Sequence, residues 1–343
     1  MIRGKRNEVK LMNNNLYNLI VIEKKHKSFR RTLPETLAEE FAKLKLSPEE
    51  RMTRRFELMC KEETPIFLPG ERICFLRTIS NLPPIFTPEE WEEIKRSHYI
   101  HEFGYISNFC PNYEKVLANG LLSLYSQADQ NGKRMIDVLL SLVDRYRDAA
   151  IQEGKTDIAS TLERVPRYGA RTFYEALQSF RILNFALWLE GNYHNTLGRF
   201  DQYMYPYLAK DLENGNLNRE TALDLLEEFF LTLNKDSDLY PGVQQGDNGQ
   251  SMMLGGLTEY GEGFNLLSEL CLLASRNLKL IDPKINVRVN KNTPDHIFTL
   301  CSELTKAGLG FPQYSNDDVV IPGLVKLGYE PHDALNYTVA ACW

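Results

Sequence analysis

FPQYSNDDVVIPGLVKLGYEPHDALNYTVAACW, Phe311 to Trp343, is the stretch whose reading decides the fold. It opens on a turn cluster, Phe311-Pro312 and then Ser315-Asn316-Asp317-Asp318. Ile321 to Leu327 reads as a short helix, Gly328-Tyr329-Glu330-Pro331 as a turn, and His332 to Leu335 as a second short helix. The last run, Tyr337 to Cys342, is small and β-leaning, and the sequence stops one residue after the cysteine. Backbone groups at a strand edge need partners further along the chain. The sequence is therefore expected to be part of a larger protein, or one half of a split one.

Working back from this stretch, Lys284 to Asn290 alternates polar and apolar residues, the period of a strand with one dry face. Helices are expected on both sides of it, Asn265 to Leu278 and Pro294 to Ala307. Strand, helix, strand in succession predicts an α/β layout with parallel strands. Leu254-Gly255-Gly256 reads as a strand end where backbones approach closely. Tyr240 to Gln250 reads as a loop. Asn218-Arg219-Glu220 starts a helix, and Arg171 to Glu190 forms another with Phe173, Leu177, Phe180, Leu183 and Leu187 recurring. Gly191 to Tyr207 holds Arg199 and Asp201 between aromatic residues, a costly pair to bury unless matched. One account is a structural Arg199–carboxylate pair that locks a loop.

Arg164-Val165-Pro166 marks a boundary, with a mainly helical region, 1–165, before it. Met135, Val138, Leu139, Leu142 and Val143 share the apolar side of a long helix there. Thr87-Pro88 and Ser47-Pro48 are helix starts with proline at the first position. Ile73 to Leu76 reads as a short strand, and Met1 to Arg31 as a poorly packed lead-in.

With 343 residues, 43% of them hydrophobic, the chain can bury a sizeable core. A net charge of −6 argues against nucleic acid or an anionic membrane as partner. No apolar run reaches a membrane span and no signal-peptide core is visible, so a cytoplasmic protein is expected. Six cysteines form no C-x-x-C pair and lie at no ligand spacing from histidine, so no metal site is expected. Phosphate-cradling glycine motifs are absent.

Several segments match one family in order. Gly310-Phe311-Pro312, Asn316-Asp317, Ile321-Pro322-Gly323-Leu324, Gly328, Asp333-Ala334, Tyr337 and Ala341-Cys342-Trp343 resemble the glycyl radical enzymes, the pyruvate formate-lyase-like superfamily. So do Asn112-Tyr113-Glu114-Lys115-Val116-Leu117, Ala170 to Phe180, and Gly198-Arg199-Phe200-Asp201-Gln202-Tyr203. The resemblance covers roughly Pro111 to Trp343.

The resemblance implies part of a ten-stranded α/β barrel, with 166–343 as its first half and the start of the cysteine loop. Cys342 would be the catalytic thiyl residue, against the plainer reading of a small buried thiol. Asn195 or Thr196 would contact substrate, and Arg199 and Asp201 would be structural or pocket residues. No cofactor would bind this chain directly. The radical would be stored on a glycine outside it and installed by an iron–sulfur activating enzyme that uses S-adenosylmethionine. Partners would be a small-molecule substrate, that activating enzyme, the C-terminal remainder and a second copy in a homodimer. The function implied is a dehydratase, decarboxylase or C–X eliminase, inactive as this chain alone. Alternatives are formate C-acetyltransferase and a non-catalytic scaffold. Ala341 stands where pyruvate formate-lyase proper has a second cysteine, which weighs against the former.

Overall fold

The computed structural model describes residues 13–34, 36–98, 109–192, 194–236 and 249–340. Its principal helices are α1 (Pro48–Glu62), α2 (Gln130–Gln152), α3 (Phe173–Leu189), α4 (Phe200–Glu213), α5 (Arg219–Thr232), α6 (Leu266–Leu278), α7 (Asp295–Lys306), α8 (Asp317–Lys326) and α9 (Pro331–Leu335). Three strands, β1 (Ser251–Gly255), β2 (Lys284–Val289) and β3 (Gln313–Asn316), pair in parallel in that order. Leu257–Thr258 and Gly261–Glu262 form a small antiparallel hairpin beyond β1.

Local chemistry sets the helix starts. Ser47 accepts the Glu50 amide at the head of α1, and Thr172 the Glu175 amide at the head of α3. Asn218 with Thr221, and Asn265 with Ser268, close reciprocal capping boxes on α5 and α6. α3 is buried nearly all round, its Glu175, Gln178, Arg181 and Asn184 included, and is the spine of the molecule. Its Phe173, Leu177 and Phe180 join the core built by α4 to α7 and the sheet. Its Ile182, Phe185 and Leu189 join a second core with α1 and α2.

The sheet has two different faces. Ile285 and Val287 of β2 pack with Met252 and Leu254 of β1 in the helical core. Lys284, Asn286 and Arg288 alternate with them and point the other way. They are only 5%, 2% and 0% exposed. Side chains of this kind are rarely buried without a specific task, so this polar face directs attention to what lies over it. Beyond β1 the sheet continues through two extended segments. Gly198 bridges Met252 and Asn195 bridges Phe109, both in parallel. The Leu197 amide donates to the Ser251 carbonyl at 2.8 Å, and that of Met253 to Gly198 at 2.9 Å. Parallel pairing was the expectation, and it is what the structure shows.

Four local expectations give way. The Ser315–Asp318 turn cluster is instead the end of β3 and the start of α8, because Asn316 caps the helix by accepting the Asp318 amide. Residues 73–76 form no strand. Their amides are taken by side chains: Ile73 by Glu228, Cys74 by Gln178 and Leu76 by the Tyr146 hydroxyl. The described part of the lead-in is packed, with Leu16 and Ile20, one helical turn apart, inside the main core. Tyr337 to Ala340 makes no ladder and is held by side chains from the sheet. Ala341, Cys342 and Trp343 lie outside the described residues, as does most of the Tyr240–Gln250 loop.

Candidate functional site

The residues leading to Cys342 meet the sheet at the carboxyl ends of β1 and β2, at residues 335–337, and cross its polar face toward the start of β1 at Val339. Thr196 sits on the extended segment beside β1. Leu197 faces the helical core, so Thr196 faces the opposite side. There its hydroxyl donates to the Val339 carbonyl at 3.3 Å. Asn195, one position back, is buried and turns its amide to the Asn192 carbonyl at 3.2 Å. Of the two substrate-contact candidates, Thr196 lies against the cysteine loop. Cys342 itself lies outside the described residues.

Arg199 and Asp201 do not pair. Arg199, at the head of α4, donates through Nη1 to the Leu335 carbonyl (3.3 Å) and Asn336 Oδ1 (3.0 Å). Through Nη2 it donates to the carbonyls of Gly255 (3.3 Å) and Leu257 (3.0 Å). Its partners are neutral oxygens rather than the anticipated carboxylate. It ties the end of β1 to the end of α9. Burial, with the nearby Arg288 charge second, lowers its pKa to about 10. Asp201 points into the α4–α6 contact, accepting from the Gly255 amide at 2.7 Å and the Ser268 hydroxyl at 2.5 Å. Its burial raises its pKa despite those donors.

The charge pair in this region is Arg288–Asp317. Both side chains are fully buried, and Arg288 Nε lies 2.8 Å from Asp317 Oδ1. Tyr337 donates its hydroxyl to the same carboxylate oxygen at 2.7 Å. Burial first, and that hydrogen bond second, push the phenol pKa up. Sequence reading matched Asp317 and Tyr337 to the family pattern without giving them a role, and held Arg288 as part of the alternating stretch Lys284 to Asn290. The available signal was strand alternation, which sets Arg288 on the face opposite the dry one.

A cleft of about 680 Å³ opens beside this assembly, lined among others by Cys110, Glu114, Arg199, Gln202, His332 and Thr338. His332 Nδ1 and Glu259 Oε1, both exposed, meet at 3.1 Å on its rim. Cys110 is exposed at this cleft. Among the described residues no group of three or more His, Cys, Asp or Glu side chains is arranged to hold a metal. None of their helices is long and apolar enough to cross a membrane.

Comparison with known proteins adds to this geometry. A family model described as pyruvate formate lyase-like matches residues 84–343. The chain is 30% identical over 196 residues to the probable dehydratase YbiW of Escherichia coli, covering 54% of this chain and 24% of that protein. It is 32% identical over 180 residues to (2S)-3-sulfopropanediol dehydratase of Klebsiella oxytoca, covering 50% and 22%. In three dimensions it resembles a solved structure described for 1,2-propanediol dehydration in Roseburia inulinivorans. The TM-score is 0.77 at 24% identity, over 96% of this chain and 53% of that one. The chain thus aligns with about a quarter of these curated relatives' length and about half of the solved chain.

Proposed function

The chain belongs to the pyruvate formate lyase-like family, and from that premise we propose that it is the thiyl-bearing portion of a glycyl radical lyase acting on a small polar substrate. The observation that carries this reading is the path of residues 335–340. Thr196 holds them beside the start of β1, and Arg199 and Arg288 hold them over the carboxyl ends of β1 and β2. In open α/β sheets that end is where ligands bind.

In this reading residues 1–165 form the helical layer, and 166–343 the first half of a barrel completed by the C-terminal remainder. Cys342, as a thiyl radical, takes a hydrogen atom from a substrate carbon, becoming a thiol and leaving a carbon-centred radical. For a 1,2-diol, the neighbouring hydroxyl then departs as water, taking the proton of the hydroxyl on the radical carbon, and leaves a radical beside a new carbonyl. The product radical takes a hydrogen atom back from the thiol, which restores the thiyl. The protein supplies position and exclusion of water; the Thr196 hydroxyl, whose proton goes to the Val339 carbonyl, is left to accept from a polar group of the substrate. The glycine-stored radical and the S-adenosylmethionine-dependent activating enzyme come from outside the chain. A cytoplasmic homodimer is the expected setting.

Anaerobic activation of the full-length protein tests this. Electron paramagnetic resonance should show a glycine-centred radical in both the wild type and Cys342→Ala. Turnover of small diols, 1,2-propanediol first, should appear only in the wild type. Equal turnover in Cys342→Ala sinks the assignment of the thiol, and failure to form any radical favours a scaffold role.

A further inference from the structure

Asp317 is buried, yet its carboxylate is surrounded by donors. Arg288 reaches it twice, Nε to Oδ1 at 2.8 Å and Nη2 to Oδ2 at 3.0 Å. The Leu257 amide reaches Oδ2 at 2.6 Å, and the Tyr337 hydroxyl reaches Oδ1 at 2.7 Å. Leu257 follows β1, Arg288 lies in β2 and Asp317 follows β3. Each of the three strands therefore contributes one member at its carboxyl end. Arg288 also donates through Nη1 to the Tyr337 carbonyl at 3.3 Å, and its guanidinium lies 4.1 Å from the centre of the Tyr337 ring. One ion pair thus grips Tyr337 by its backbone, its ring face and its hydroxyl.

An ion pair that only joined β2 to α8 would need Arg288 and Asp317 and no tyrosine. The third partner belongs to the segment that leads to Cys342. Resting on the function proposed above, we propose that Tyr337 is a positioning residue for the thiol, locking residues 337–340 in register with the strand ends through Arg288 and Asp317. Thr196 adds a second hold at Val339. Three residues of chain reach at most about 11 Å, so fixing Val339 limits where the thiol of Cys342 can travel.

The experiment compares Tyr337→Phe and Tyr337→Leu with wild type in the full chain. It uses backbone hydrogen exchange and timed alkylation by iodoacetamide, read by mass spectrometry at each cysteine. Tyr337→Phe keeps the ring over Arg288 and loses only the hydroxyl. Amides of residues 336–340 should exchange about tenfold faster in it, while β1 and β2 are unchanged. Cys342 alkylation should rise about threefold in Tyr337→Phe and more than about tenfold in Tyr337→Leu. The Cys60 rate should stay within about twofold of wild type in both, because that thiol is buried in the second core, away from residues 336–340. Exchange at 336–340 that matches wild type in Tyr337→Phe overturns the proposal. So does a parallel rise at Cys60 and Cys342, which would mean general loosening. If Tyr337→Leu does not fold, Tyr337→Phe decides. The radical experiment fails independently: faster exchange with no radical keeps the lock and removes the enzyme, and unchanged exchange with a radical does the reverse.

Discussion

Gly256 occupies a position that no side chain shares easily. Its φ is +82°, and a Cβ there would stand 2.5 Å from Arg288 Nε and 2.7 Å from Asp317 Oδ2. Neither group is free to retreat, since both are engaged in the buried ion pair. Gly328 has a comparable conformation, φ +99°, with nothing near its missing Cβ. The two glycines separate backbone strain from crowding. Gly328→Ala should cost about 1 kcal/mol, the strain alone. Gly256→Ala should cost about 3 kcal/mol or more, because it also disturbs a buried charge pair. Urea unfolding of the two variants measures the difference, and equal costs would mean that the junction yields freely. The same contrast explains what was hidden at Arg199. Two charges two residues apart invite pairing on paper, yet Arg199 binds carbonyls while Arg288 pairs with Asp317, 29 positions away in sequence. Proximity in sequence carries no information about which strand ends meet.

Among elements, the helices with their own caps were legible. Ser47, Thr172, Asn218 and Asn265 each satisfy amides that the helix cannot, so the start is written locally. β2 was legible because its alternation survives burial on both faces. Segments whose backbone is satisfied by distant side chains were not. Residues 73–79 have the composition of a strand, but their amides end on Glu228, Gln178, Tyr146 and Glu63. Tyr146 shows how much rests on such a contact. Its hydroxyl accepts the Leu76 amide at 3.1 Å and donates to the Leu76 carbonyl at 3.2 Å. Its ring stacks on Phe75 at 4.0 Å between centres. Tyr146→Phe keeps the ring and strands two buried backbone groups, so it should cost about 1 to 3 kcal/mol. Exchange of the Leu76 amide should speed up with it. A cost under about 0.5 kcal/mol would show that packing alone holds the segment. The loop that carries Cys342 was recognisable as important but unreadable as structure for the same reason: Thr196, Arg199 and Arg288, all distant in sequence, decide its path.

At the scale of the molecule, the described sheet stops at β3, which pairs only with β2. Such an edge is a template for another strand. Tyr314 on β3 is 49% exposed, and Val319 and Leu327, in and just after the following helix, are 67% and 78% exposed. An open edge and exposed apolar side chains favour association, and a net charge of −6 spread over 343 residues opposes it only weakly. In the function proposed above, the remainder of the enzyme covers this face. The 343-residue chain purified by itself should therefore self-associate at ~50 µM in light scattering. Tyr314→Lys with Val319→Lys places two charges on the edge and removes two apolar contacts. Both side chains are substantially exposed, so the melting temperature should move by less than about 2 °C while the mass falls toward the 39.6 kDa monomer. A wild-type monomer at ~50 µM would mean that the edge is already blunted, by its brevity or by segments beyond the described residues. Association that persists in the double variant would place the contact elsewhere on the surface.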